Sequence, residues 1–284
     1  MKNCFPKSAT PDMLRAENIS KSYFPGKKRE IRVLDHFSLA LTKGEICGLI
    51  GGSGGGKSTA ARIMCGLESA DSGRIFFQNR DITNLRPGKK HPFAGKMQMI
   101  FQDPFSSMSP RMKIADILAE PLRIQKQREN TGKKVREILE RVEMAADCLV
   151  KYPFELSGGE RQRIAIARCL LLQPVFIIAD EILSMLDTSR KSRILDLLYR
   201  LRKEENFSLL FITHDIALAA CICDSIAVLH AGRIVEKGRT GQLLSAPQHR
   251  YTRSLMAAVP CRLFPVTDFP VCNFPLKYAI ARRK

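Results

Sequence analysis

Apolar positions along this chain follow two periodicities, and the changes between them mark out its regions. Residues 13–50 alternate and turn like strands, with IRVLDHFSLALTKGE giving way to the apolar EICGLIG. After a run of glycines, STAARIMCGL has helical composition and ends at Gly66. IFFQNRDI (75–82) and KMQMIFQ (96–102) read as strands. Between about 103 and 172 the character turns helical. There Val135, Ile138, Leu139 and Val142 fall at i, i+3, i+4 and i+7, one stripe on a helix.

Beyond Pro174, short apolar runs of the kind buried in parallel sheets alternate with helical stretches. VFIIAD (175–180) is the first such run, followed by a helix carrying Ile194, Leu197, Leu198 and Leu201 on one face. SLLFITH (208–214) is the second, followed by an apolar helix. SIAVLHAGRIVEKG reads as two strands about the Ala231-Gly232 turn. This alternation predicts an α/β domain with a mostly parallel sheet, interrupted by a helical insertion.

Composition narrows the class. Of 284 residues, 45% are hydrophobic and 26% charged, a globular balance rather than a disordered one. No apolar run approaches the roughly 18 residues of a spanning helix. The N-terminal MKNCFPKSAT has no apolar core segment, so no signal peptide is expected, and the chain reads as soluble and intracellular. Nine cysteines, an odd number without a repeated spacing, fit reduced thiols better than a disulfide framework. Cys221 and Cys223 form a C-x-C without a second pair nearby, which reads as buried thiol rather than metal site. The net charge of +18 favours polyanionic partners without choosing among nucleotide, nucleic acid and anionic membrane.

The candidate chemistry starts at Gly51-Gly52-Ser53-Gly54-Gly55-Gly56-Lys57-Ser58-Thr59. Such a concentration of glycine costs backbone entropy and needs a geometric reason. An apolar strand (46–50) precedes it and a helix follows, the context of a phosphate-binding loop whose amides must turn inward around phosphate oxygens. Lys57 is placed to reach the β- and γ-phosphates, and the Ser58 hydroxyl to hold Mg²⁺. VFIIAD-Glu181 supplies the expected carboxylate strand end, with Asp180 toward the metal and Glu181 toward the attacking water.

Three further stretches fit around that centre. Leu156-Ser157-Gly158-Gly159-Glu160 is a second small-residue loop opening a helix, able to offer amides and a hydroxyl to a phosphate. Because the chain already has one complete phosphate site, a second makes sense if it serves a neighbouring copy. Gln102 ends one predicted strand and offers an amide to the metal or water, and His214 ends another, as expected of a γ-phosphate contact.

Together these residues resemble the ATP-binding cassette (ABC) family of ATPases over about residues 13–245, with LSGGERQR the most specific element. The resemblance implies a P-loop NTPase core, an N-terminal antiparallel β subdomain and an inserted α-helical subdomain. It implies an ATPase domain over 13–250, with the insertion at about 103–172, and a short extension over 251–284. It implies Tyr23 stacking on adenine, and two chains closing head to tail on two ATP molecules, each Walker A motif (residues 51–59) facing the other's signature (residues 156–160). Asp187 would then lie in the loop between subunits.

FQDPFSSMSPRM (101–112) and RYTRSLMAAVP (250–260) resemble the peptide, opine and nickel importer ATPases. That likeness implies membrane permeases, a second cassette ATPase (the same chain or a different one) and an extracytoplasmic solute-binding protein as partners. It also implies a peripheral location on the cytoplasmic face of the cell membrane, and peptide or nickel chelate as cargo. Only Cys261 and Cys272 remain in the tail, so no iron–sulfur cluster is carried over from cysteine-rich relatives. Ile182-Leu183 stands where the family usually has Pro-Thr, which leaves nucleotide binding untouched and bears on the subunit contact and turnover. The competing expectations are a soluble cassette ATPase acting on nucleic acid or ribosomes, and a regulatory nucleotide binder without turnover.

Overall fold

A computed structural model of the chain describes residues 12–24, 30–85, 93, 95–105, 107–127 and 129–257. Cys4, Cys261, Cys272 and the tail from residue 258 lie outside that range. Two sheets form the frame. The first is antiparallel, with β1 (Asp12–Tyr23) between β2 (Ile31–Thr42) and β4 (Ser72–Phe77), and the two-residue β5 (Arg80–Asp81) at its edge. The stretch read from sequence as one strand over 75–82 is therefore a hairpin. Gln78 and Asn79 take positive φ values of 48° and 63°, and Phe77 pairs with Arg80 across the turn. Two adjacent polar residues in the left-handed region reverse the chain, which an apolar count does not register.

The second sheet holds β3 (Ile46–Ile50), β6 (Met97–Ile100), β7 (Phe176–Asp180), β8 (Ser208–Thr213), β9 (Ser225–His230) and β10 (Arg233–Arg239). Its order is β10-β9-β3-β8-β7-β6, parallel throughout except for the β9–β10 hairpin. Both faces of this sheet are covered, which explains the unbroken apolar runs. Ile46 and Ile50 of β3 enter one core with Ile177, Leu209 and Phe211, while Cys47 and Leu49 enter the other with Ile178, Leu210 and Ile212. The second core is closed by the antiparallel sheet and by α1 (Lys57–Met64), through Leu39, Phe77, Ala60 and Met64.

Three helices form the insertion between β6 and β7: α2 (Ile114–Ile124), α3 (Thr131–Arg141) and α4 (Gly158–Leu170). Helix begins only at Ile114, because 103–105 and 107–113 run as turns and bends, with Asp103 accepting the Phe105 amide at 2.9 Å. The stripe Val135, Ile138, Leu139 and Val142 is buried, with Val142 just past the end of α3. A cavity of about 200 Å³ lies between β6 and this helical layer, lined by Met99, Phe101, Pro121 and Arg168 among others. Helices α5 (Thr188–Glu205), α6 (Ile216–Ile222), α7 (Thr240–Ser245) and α8 (Arg250–Ala257) complete the described chain. None of the described helices is long and apolar enough to cross a membrane.

Candidate active site

The parallel sheet brings four strand ends to one edge. At the end of β3 the glycine loop turns into α1, and the reason for glycine differs by position. A Cβ at Gly51 would stand 2.3 Å from the Leu229 carbonyl oxygen, so the loop can lie against β9 only without a side chain there. At Gly56, φ is +95° and a Cβ would stand 2.8 Å from the Val33 carbonyl oxygen, so conformation and space both exclude other residues. Lys57, at 4% exposure, donates from Nζ to the carbonyl oxygens of Gly51 and Gly52, each at 3.0 Å. Gly52 O also accepts the Gly55 amide at 3.2 Å. The loop thus holds its lysine folded over its own base.

Glu181 lies at the centre of the cluster. Its Oε1 is 3.4 Å from Lys57 Nζ, and its Oε2 accepts from Gln102 Nε2 at 3.4 Å and lies 3.5 Å from His214 Nδ1. Four segments far apart in sequence therefore meet on one carboxylate. Its backbone is left-handed, with φ of 46°, a conformation that costs a non-glycine residue about 1–2 kcal/mol. The turn is held by the Glu181 amide on Ile212 O at 3.0 Å, and by the Ser184 amide and hydroxyl on Glu181 O at 3.1 and 2.9 Å. Ile182 and Leu183 are 2% and 1% exposed and enter the core beside α5. The apolar pair thus anchors the turn by burial.

Asp180 is buried, and its Oδ1 has no hydrogen-bond partner. Burial pushes its carboxyl above the usual range, and Glu181 adds to the rise; the Ser58 hydroxyl, Arg62 and Lys57 oppose it. An orphaned buried carboxylate oxygen beside a hydroxyl, with the Gln102 amide across the cluster, suits a hard divalent cation.

The remaining predicted residues lie outside this cluster. Ser157 caps α4 in a reciprocal box, accepting the Glu160 amide at 3.4 Å while Glu160 accepts the Ser157 amide at 2.7 Å. Leu156 is buried, and its carbonyl accepts from Arg161 Nε at 2.8 Å. Among the described residues, no hydrogen bond or ion pair joins Leu156, Ser157, Gly158, Gly159 or Glu160 to Lys57, Asp180 or Glu181. Gly158 instead lies beside Leu186 and Gly159 beside Arg190. Asp187 caps α5, accepting the Arg190 amide at 3.0 Å, with half of its side chain in solvent. Tyr23 ends β1 and donates its hydroxyl to Glu68, with the Lys21 ammonium 5.6 Å from its ring. Burial and Glu68 push the Tyr23 hydroxyl above its usual pKa, and Thr59 opposes them.

One contact with the loop was not foreseen from sequence. The Gly52 amide donates to the hydroxyl of Tyr251, on α8, at 3.0 Å. The sequence signal was the stretch RYTRSLMAAVP, which pointed to a subfamily and not to a contact.

Comparison with known proteins places this geometry. The ABC transporter family profile matches residues 34–184. The chain is 41% identical over 251 residues to the oligopeptide transport ATP-binding protein OppF of Streptococcus mutans serotype c, covering 87% of this chain and 82% of that protein. It is 40% identical to a putative peptide import ATP-binding protein of Brucella ovis, covering 87% of this chain and 78% of that one. Among solved structures, the dimeric post-hydrolysis state of the ATP-binding cassette MJ0796 bound to ADP and Pi superposes with a TM-score of 0.71 at 28% identity. That match covers 80% of this chain and 99% of MJ0796.

Proposed function

The chain belongs to the ABC transporter family, and we propose on that premise that it is the ATP-hydrolysing, energy-coupling subunit of a peptide uptake transporter. The observation that carries the catalytic part is the convergence of Lys57, Gln102 and His214 on Glu181 at the mouth of the phosphate loop. The names of the relatives support peptide over nickel among the cargoes the sequence left open.

In this reading Lys57 exchanges the carbonyls of Gly51 and Gly52 for the β- and γ-phosphate oxygens of ATP. The amides of the loop from Ser53 to Thr59 cradle the phosphates at the positive end of α1. That exchange frees Glu181 Oε1, which then orients the attacking water and takes up its proton as the γ-phosphoryl group leaves ADP. Phosphoryl transfer asks for positioning and charge neutralisation, so one carboxylate steered from three sides is a sufficient centre. His214 moves from Glu181 to a γ-phosphate oxygen, and Tyr23 offers its ring to the adenine. Ser58, Asp180 and Gln102 would hold Mg²⁺, and the orphaned Asp180 oxygen supports that assignment. When bound, the ion neutralises charge on the phosphate oxygens.

Ser157 and its neighbours stand apart from this centre within one chain, as a site serving a second cassette would. Two chains would close on two ATP molecules, with residues 156–160 of each facing the phosphate loop of the other and Asp187 at the seam. The dimeric MJ0796 structure supports the pairing of two cassettes. Residues 13–250 form the ATPase domain, and the helical layer over 103–172 carries closure to two membrane permeases on the cytoplasmic face, below a solute-binding protein. The extension that begins at residue 251 is not separate at its start, because Tyr251, Leu255 and Met256 of α8 pack back on the core of the ATPase domain. Burial of Ile182 and Leu183 supports a site still competent for turnover.

The test is affinity purification from gently solubilised membranes, followed by ATPase assay of what is recovered. Recovery of permeases with peptide-stimulated hydrolysis supports the reading. Recovery of ribosomal or DNA-bound proteins with salt-sensitive affinity would transfer the ATPase to the nucleic-acid class.

A further inference from the structure

We propose that Tyr251 is a positioning residue for the phosphate loop, and that α8 is thereby tied to nucleotide affinity. The inference rests on the nucleotide-binding reading above and adds a residue that the motifs do not contain. Gly52 is the joint of the loop. Its carbonyl accepts both Lys57 Nζ and the Gly55 amide, and its amide is held by the Tyr251 hydroxyl. When Lys57 swings to phosphate, the carbonyl side of that joint loses a partner, whereas the Tyr251 contact does not depend on the lysine. The hydroxyl therefore keeps the base of the loop in place while its lid is exchanged.

The tyrosine is itself fixed from several sides. Its ring stacks on His230 at the end of β9, with centroids 3.8 Å apart and planes 26° from parallel. Its amide donates to His249 Nδ1 at 3.2 Å. The carboxylate of Glu236 on β10 accepts the amides of Gln248 and His249 at 2.8 and 3.0 Å, setting the entry to α8. Thr252, the next residue, is fully buried. The loop in turn packs on β9 at Leu229, directly before His230. Loop, β9 and α8 thus form a three-way contact with the Tyr251 oxygen at its centre. A Cβ at Gly52 would stand 3.1 Å from that oxygen, so the fit between the two residues is close.

Tyr251→Phe removes the oxygen and keeps the ring on His230. On the full chain, ATP affinity is read by competition with a fluorescent ATP derivative, and KM and kcat are read in the membrane complex. The expected result is a rise of roughly three- to tenfold in Kd and KM, the effect of one part-buried hydrogen bond, at unchanged kcat. A purely structural tyrosine would lower the melting temperature and leave Kd alone, and that outcome overturns the proposal. Gly52→Ala supplies the second arm. Its methyl group presses on the Tyr251 oxygen in the wild type, so its cost in Kd should shrink in the Tyr251→Phe background, whereas additive costs would overturn the direct contact. If the wild-type chain itself binds no ATP, the nucleotide reading fails. If wild type and Tyr251→Phe bind ATP equally, only the tether fails.

Discussion

Gly51→Ala isolates a steric demand from a conformational one. The added methyl carbon would stand 2.3 Å from Leu229 O and 3.3 Å from the Leu229 carbonyl carbon. Relieving the first contact to 3.0 Å takes a shift of about 0.7 Å between the loop and β9, both backbone, with β9 paired to β3 on one side and β10 on the other. Overpacking of this kind costs about 1–3 kcal/mol. A shift of that size also moves the loop amides away from the phosphate oxygens they are proposed to hold. Gly51→Ala is therefore expected to lose about 1–3 kcal/mol of stability together with most of its ATP affinity.

Gly54→Ala is the control, because φ there is +73° and, among the described residues, no atom beyond its chain neighbours lies within 4 Å of an added Cβ. In stability it carries only the strain of a left-handed residue, about 1–2 kcal/mol, without moving β9. Urea unfolding and ATP titration of the two variants measure the difference. A Gly51→Ala protein that binds ATP like the wild type would refute the argument that the loop is seated by its contact with Leu229.

Glu181→Gln should keep ATP binding and lose roughly two to four orders of magnitude in hydrolysis, since the amide accepts no proton; phosphate release against nucleotide retention measures both. Ser157→Ala removes one half of the capping box and should cost about 1 kcal/mol in thermal stability. Its further effect on turnover should appear only where two cassettes meet, so comparing the isolated chain with the membrane complex separates the two. Glu45 gives the pH dependence. Burial raises its pKa, but the Ser225 hydroxyl and the amide and hydroxyl of Thr42 bring it below its ordinary 4.5. A depressed carboxyl contributes stability that is present above the unfolded value and lost as pH falls through the folded one. Urea midpoints should therefore drop below about pH 4.5 in the wild type and flatten in Glu45→Gln, with an unchanged slope counting against this contact.

The glycine loop, the carboxylate strand end and the small-residue loop at 156–160 were legible as local features in the sequence because each proposed role is a local requirement. Phosphate needs amides without side chains in the way, and a doubly covered parallel strand needs an unbroken apolar run. Periodicity likewise located α3, α5 and the strands β7 and β8. It missed the β4–β5 reversal, where two polar residues in left-handed conformation turn the chain. It also could not give the strand order, in which β8 lies between β3 and β7 and so sets the gap across which Lys57 reaches Glu181. Nor could it place Tyr251 on Gly52, 199 residues away. A hydroxyl meeting a backbone amide leaves no trace in composition or spacing, because either partner could be satisfied by water until the sheet, the hairpin and α8 have packed. The candidate binding residues were written locally; which of them meet was decided by tertiary packing.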